Sequence, residues 1–379
     1  MGEEPVTLRI AIDVTAAVTQ RAGVGRYTRE LVRALRDLPD PPELIPFFIA
    51  PGAEYPLGAG PTPLMRRQGG RSWRLEALLR QVTRRPMRGP WNRADLYHAP
   101  EVIAPPTTTP LVTTVHDLSY LTRPQYHTRL NGAYLRAITP LVTRRARLVI
   151  ADSEATKRDL VHYIGLSEDH VRVVYPSIAE EFWRAPAPQQ VAETCARYGL
   201  SAGFILSVGT QEPRKNLRGT LAAYRLLRRR LPDAPPLALV GGAGWGLDEE
   251  RLVGPEEREH VLRLGFVPDT DLVSLYAACA AFVYPSHYEG WGLPVAEALA
   301  LGAPVVTSNV SSLPEVAGDA ALLVDPTQPV EIAAALYSLL TEGALAARLR
   351  REGPPWAQLF SRERWASETL RVYQDALGR

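Results

Sequence analysis

The sequence predicts an α/β protein of two successive domains, each built on a parallel sheet. Three observations carry this. A chain of 379 residues exceeds one ordinary core. Short apolar runs alternate with longer amphipathic stretches along the whole chain, the pattern of parallel strands joined by helices. The pattern stops at a proline-rich stretch, 176–190, and restarts after it, so that stretch reads as a linker.

In the first half, strands are expected at 8–12, 44–49, 96–98, 111–115, 148–151 and 171–175. Helices fit at 25–35, 130–145 and 153–164, the last with Ser153 as N-cap. In the second half, strands are expected at 204–208, 237–240, 261–264, 280–284, 304–307 and 321–324, with helices at 219–231, 271–279, 294–301 and 329–340. Ser312 to Glu315 has capping-box spacing and starts a further helix. An amphipathic helix, 364–377, closes the chain. The domains are therefore placed at 1–180 and 191–361.

Composition narrows the class. An apolar fraction of 46% and a charged fraction of 22% fit a globular protein that folds in water. No apolar run approaches the roughly 20 residues that span a bilayer. The short acidic N-terminus does not read as a signal peptide. Cys195 and Cys279 read as inert thiols of a reducing, cytoplasmic protein. A net charge of +2 is too small to argue for nucleic acid. Arginine fills nearly every basic position, and Lys157 and Lys215 are the only lysines, which singles out Lys215.

The segment from Tyr284 to Glu297, YPSHYEGWGLPVAE, is the most informative. It reads as a buried strand, a glycine loop and a helix start with Pro294 in the first turn and Gly302 past the end. Backbone N–H groups and the helix dipole make such a start an anion site. Glu289 in the loop and Glu297 in the first helical turn frame it. That suits a ligand with hydroxyls at both ends and anionic charge between, such as a nucleotide sugar.

Other strand ends carry chemistry. Gly209-Thr210-Gln-Glu-Pro-Arg214-Lys215-Asn216 follows the strand 204–208. Its two cations match phosphate oxygens and balance a diphosphate without metal. His116-Asp117 follows the strand 111–115, placed to hydrogen-bond a substrate hydroxyl. Gly23-Val24-Gly25 opens the first long helix and permits close backbone approach. The loop from Asp13 to Gly25 is too long for the dinucleotide fingerprint, so hydride transfer is disfavoured. Asp269-Thr-Asp271 spells the D-x-D of metal-dependent sugar transferases but is read as the cap of a helix start. No spacing indicates a metal cluster, a nucleophile elbow or a Walker loop. The arginine-dense segment 66–93 includes an amphipathic stretch, 73–82. It reads as an ordinary surface helix, with contact to an anionic membrane or acceptor as the alternative.

Taken together, Glu289 and Glu297 in E-x7-E spacing, GTQEPRKN, SSLPEVAGDAA, VHDL and GVGRY resemble the retaining GT-B glycosyltransferases of family 4. The similar branch is that of bacterial O-antigen and polysaccharide mannosyltransferases. The resemblance runs from about residue 8 to the end. The usual aromatic between the glycines is Phe, where this chain has Trp291. The resemblance implies two Rossmann-like domains with parallel sheets facing a central cleft, the C-terminal helix, 362–379, returning to the first. It implies that Glu297 binds ribose and Glu289 the donor sugar. Arg214 and Lys215 would hold the diphosphate, aided by N–H groups around Gly292 and Leu293. His116 would sit near the transferred sugar and Gly23–Gly25 would close on phosphate and acceptor. Gly209, Thr210 and Trp291 would line the donor site, and Val267 would contact the base through its backbone. The expected activity is transfer of a hexose, mannose favoured, from a nucleoside-diphosphate sugar to a glycan or lipid-linked acceptor, without metal or other cofactor. GDP-mannose is the favoured donor and a UDP-sugar the alternative. The expected location is cytoplasmic, with the inner face of the cell membrane as the alternative. Competing readings are a sugar-nucleotide epimerase, a phosphorylase and a non-catalytic nucleotide-sugar binding protein.

Overall fold

The computed structural model describes residues 7–20, 23–50, 64–65, 69–242, 244, 253–254 and 257–378. The acidic start of the chain and the first arginines of 66–93 lie outside them. The chain divides into two units, Met1–Ser177 with Arg362–Arg379, and Ile178–Ser361.

The first unit is built on a parallel sheet. Its strands among the described residues are β1 (Arg9–Asp13), β2 (Glu43–Phe48), β3 (Leu64–Met65), β4 (Leu96–Ala99), β5 (Leu111–Val115), β6 (Leu148–Ala151) and β7 (Val171–Val173). They lie in the order β3-β2-β1-β4-β5-β6-β7. The second unit repeats the plan with β8 (Ile205–Val208), β9 (Leu237–Val240), β10 (Val261–Gly265), β11 (Ala281–Tyr284), β12 (Val305–Ser308) and β13 (Ala321–Val324), in the order β10-β9-β8-β11-β12-β13. In both, the strand order reverses beside the first strand, between β1 and β4 and between β8 and β11. Loops diverge at the carboxyl ends of such neighbours and leave a crevice for ligands.

Both faces of each sheet are covered, which is why the strands read as unbroken apolar runs. On β1, Ile10 and Ile12 join a core with helices Val24–Arg36 and Arg362–Leu377, while Ala11 joins the opposite core with Phe47, Trp91, Tyr97 and Ile138. This period of two fixes the strand register.

Several expectations change. The stretch 176–190 is not a free linker. Ser177 ends the first unit and Ile178 begins the second; inside the second, a 3-10 turn, Glu180–Trp183, buries Phe182 edge-on to Tyr276, and helix Pro188–Arg197 follows. A short helix, Thr15–Thr19, lies inside the first long loop. Helix Gly343–Ala357 contains Gly353, Pro354 and Pro355 and was not expected. A Cβ at residue 353 would come 2.8 Å from the carbonyl of Leu299, so glycine lets this helix press against helix Leu293–Ala300. Among the described residues, no single helix is long and apolar enough to cross a membrane.

The C-terminal helix is locked to the first sheet by a buried histidine. Nδ1 of His98 meets the Tyr373 hydroxyl at 2.7 Å and Nε2 meets Thr114 Oγ1 at 2.9 Å. Burial, aided by the charge of His116, lowers the His98 pKa to about 3. Because the folded pKa lies below the ordinary value, this contribution to stability is complete above about pH 6.5 and is lost as pH falls toward 3. The melting temperature is therefore expected to fall with acidification across that window, with a smaller slope in His98→Gln. Equal slopes in scanning calorimetry would show that His98 carries none of it.

Candidate active site

The second unit gathers a buried charge cluster at the ends of β8 and β11. Helix Leu217–Arg230 starts just past β8, and Asn216 caps it: φ is +58° and the side-chain oxygen accepts from Gly219 N at 3.1 Å. The Asn216 amide donates to the carbonyls of Pro285 and Pro326, at 3.0 and 2.6 Å. This fastens the Arg214-Lys215 turn to the loop after β11. From there Arg214 donates to Glu289 Oε2 at 2.5 Å and to the Tyr288 carbonyl at 2.8 Å. Lys215 Nζ meets Glu289 Oε1 at 2.7 Å and the Tyr284 hydroxyl at 2.5 Å. Tyr284 and Ser286 donate to the same carboxylate oxygen, at 2.9 and 2.6 Å.

Glu289 is held from behind as well. Its N–H donates to Ser311 Oγ at 3.0 Å. The Ser312 hydroxyl donates to the carbonyls of Glu289 and Trp291. Ser312 is therefore not the capping-box side chain its spacing suggested; helix Leu313–Ala317 has no side-chain cap. Its hydroxyl is a strut for the Glu289 loop.

Burial alone would raise the Glu289 carboxyl. Arg214, Lys215 and the hydrogen bonds outweigh it and hold the pKa at about 2. Lys215 is shifted down, first by burial and then by Arg214, against the pull of Glu289. Glu212 takes a second bond from Arg214 at 2.7 Å. The two cations and two carboxylates sum to zero formal charge, so this is a compensated buried network. Glu289 is the shared partner of both cations.

The loop continues to Gly292, the N-cap of helix Leu293–Ala300, at φ +123° where only glycine is unstrained. Glu297 is the fifth residue of that helix rather than part of its first turn. It is buried and accepts from the Tyr276 hydroxyl at 3.2 Å. The ring of Trp291 is buried edge-on to Phe360, 4.9 Å between centroids, so the side chain packs the loop from behind. Gly209 and Thr210 line a small cavity with Lys215 and Tyr284 at the end of β8. Val267 is buried just before helix Asp269–Ala278. That helix has Pro268 as N-cap without a side-chain bond, so Asp269 and Asp271 are first-turn residues and not the cap. The Asp271 carboxylate is occupied by Arg197, at 2.7 and 2.9 Å, and by the Tyr198 hydroxyl.

In the first unit, two of the expected residues, Val24 and His116, line one cavity. His116 Nδ1 lies 2.7 Å from Asp152 Oδ2, and Nε2 lies 2.8 Å from the Pro100 carbonyl. A carbonyl only accepts, so Nε2 carries a proton, and a second proton is held between Nδ1 and Asp152. Burial pushes the His116 pKa down, but Asp152 more than reverses this and the net shift is upward. Both ring nitrogens of His116 are thus held within the fold, by Asp152 and by the Pro100 carbonyl. Adjacent Asp117 turns away and accepts from Ser119 N and Oγ. His116, Thr114, Glu101, Tyr120, His127 and Val24 line a cavity of about 240 Å³. Gly25 serves packing: a Cβ there would lie 2.0 Å from the Gln20 carbonyl, which lets helix Val24–Arg36 abut helix Thr15–Thr19.

Sequence reasoning missed Tyr284, Ser286, Ser312, Glu101 and Asp152. Their signal was position at a strand end, but ordinary hydroxyls and acids gave it no specificity.

Comparison with known proteins identifies the family and the fold. The profile described as "Glycosyl transferases group 1" matches residues 200–356, and that described as "Glycosyltransferase Family 4" matches residues 21–182. An Escherichia coli protein named O-antigen chain mannosyltransferase B is 35% identical over 369 residues, covering 93% of this chain and 96% of its own. The structure of sucrose-phosphate synthase from Thermosynechococcus elongatus superimposes with a TM-score of 0.75 at 20% identity, covering 98% and 99% of the two chains. Anabaena Alr3699/HepE, solved with UDP and glucose, gives 0.72 at 19% identity, covering 97% and 100%. At such identities these structures speak for the fold. With both profiles matched in chain order and a relative similar along nearly its full length, the chain belongs to the family 4, group 1 glycosyltransferases and has the GT-B fold.

Proposed function

We propose that this glycosyltransferase moves mannose from GDP-mannose to a glycan or lipid-linked acceptor, with retention at the anomeric carbon and without a metal ion. The observation that carries this is the buried Arg214–Lys215–Glu289 cluster beside the N-terminus of helix Leu293–Ala300. A diphosphate is the ligand that would draw both cations from the carboxylate, while Glu289, once released, would accept sugar hydroxyls. In the reaction the bond from the anomeric carbon to the phosphate oxygen breaks and a bond to the acceptor oxygen forms. The acceptor proton passes to the leaving phosphate. Arg214 and Lys215 stabilise the charge that develops there. The name of the Escherichia coli relative favours mannose. The occupied Asp271 carboxylate supports the metal-free reading.

The test is an NMR-monitored assay with GDP-mannose, GDP-glucose and UDP-glucose, repeated in EDTA. An α-linked mannosyl product that persists in EDTA is expected. A β-linked product would sink retention, and activity lost in EDTA and restored by manganese would sink the metal-free reading. Glu297→Gln is expected to weaken GDP binding by calorimetry. Glu289→Gln is expected to keep GDP affinity, because it releases the cations, and to lose sugar transfer. Equal weakening by both would contradict these roles.

A further inference from the structure

A second cavity, of about 480 Å³, lies at the opposite ends of the first sheet's strands from His116. Three segments form it. Helix Gly70–Thr83 ends at it, and Arg84 closes that helix with φ +57°. The loop Pro106 to Pro110 enters β5 beside it, and the turn at Arg145 to Arg147 enters β6.

Its chemistry is one-sided. Arg84, Arg145 and Arg147 line it together with Thr107 and Thr108, and among the described residues no Asp or Glu lines it. Among the described residues, none of these three guanidinium groups has an ion-pair partner, although elsewhere in the chain Arg197, Arg214, Arg225 and Arg364 are each paired to a carboxylate. Burial and the nearby charge of Arg84 both lower the Arg145 pKa, so like charges face one another here.

A second observation is independent of charge. Gln81 also lines the cavity and is 1% exposed. Its Nε2 donates to the Ala104 carbonyl at 2.8 Å, which fixes the orientation of the amide. Its Oε1 is buried and has no partner. A buried acceptor left unpaired is destabilising, and an O–H from a ligand would satisfy it.

We propose that this cavity is a binding site for a phosphate ester that carries a free hydroxyl, the guanidinium groups taking the phosphate and Gln81 Oε1 the hydroxyl. Planar guanidinium forks suit phosphate oxygens better than ammonium groups do. A polyol phosphate in solution and the glycerophosphate headgroup of a lipid share this chemistry. The helix that carries Gln81 also exposes Leu75, Leu79 and Val82, at 58%, 55% and 64%. That i, i+4, i+7 stripe favours the lipid as the source.

The experiment compares the full chain with Arg84→Asn/Arg145→Ser and with Gln81→Glu. Glycerol 3-phosphate is titrated by calorimetry, and sedimentation is followed with phosphatidylcholine vesicles with and without phosphatidylglycerol. Thermal unfolding and donor hydrolysis are measured alongside and are expected to stay unchanged in the double variant, because these residues lie far along the strands from His116. Saturable binding of glycerol 3-phosphate, weakened at least tenfold in the double variant and also weakened by Gln81→Glu, is expected. Sedimentation with phosphatidylglycerol vesicles that the double variant loses would support the site and identify a lipid source. Glycerol 3-phosphate binding without sedimentation would support the site with a soluble source. Absence of binding to both probes, or binding that the double variant retains, would overturn the proposal. Vesicle binding that survives the double variant and is lost in Leu79→Ser would overturn it as well, because the apolar stripe would then act without the cavity.

Discussion

Replacing Lys215 by methionine is expected to lower the transfer rate by about a hundredfold to a thousandfold, the usual effect of removing one fixed donor to developing charge. Arg214→Met is expected to do the same. Stability should fall too, because Glu289 is buried and loses a partner in either variant. Breaking a buried pair from one side costs about 3–5 kcal/mol. Lys215→Met/Glu289→Gln removes the stranded charge together with its partner. It is expected to recover most of the stability and none of the rate. Denaturant titration beside single-turnover kinetics checks this. A double variant as unstable as Lys215→Met would refute the pairing, and near-normal rates in both single variants would refute the phosphate role. The acid limb tests the same network. Glu289 has a folded pKa of about 2, below its ordinary value, so its stabilising contribution is present above about pH 4.5 and lost as pH falls toward 2. Without Lys215 the folded pKa rises, and that loss should begin at a higher pH.

Trp365→Ala is expected to destabilise the first unit by about 3–5 kcal/mol, the range for deleting a large buried aromatic. Trp365 is 1% exposed and packs edge-on to Tyr27, 5.0 Å between centroids. Tyr27 in turn lies edge-on to His116 at 4.7 Å. The C-terminal helix thus supports the residue that backs His116, although more than 240 residues separate them in sequence. Trp365→Phe should retain most of the stability, since much of the buried ring survives. Urea denaturation of both variants decides the matter. A cost below about 1 kcal/mol for Trp365→Ala would mean that the helix is not part of that core.

The sequence by itself determined the repeated α/β plan and nearly every strand, because strands buried on both faces must be written as apolar runs. The two-residue β3, Leu64–Met65, was too short to leave such a run. It also marked Arg214, Lys215, Glu289 and His116 as polar residues shortly after apolar runs, and the spacing of these motifs carries the family resemblance. Tertiary structure alone decided what those groups do to one another. Glu289 lies more than 70 residues from Lys215 in sequence, and it is the reversal of strand order beside β8 that makes their loops neighbours. His116 and Asp117 are adjacent in sequence, but the structure separates them: His116 pairs with Asp152 at the next strand end, while Asp117 accepts from Ser119. Helix Gly343–Ala357 was illegible because Gly353, Pro354 and Pro355 are poor helix formers. Close packing on Leu299 overrides that local preference, and no local pattern encodes a contact made 50 residues away. Local rules thus fix the type and order of the elements, while long-range packing fixes charge partners and protonation, because both depend on distances that the linear chain does not contain.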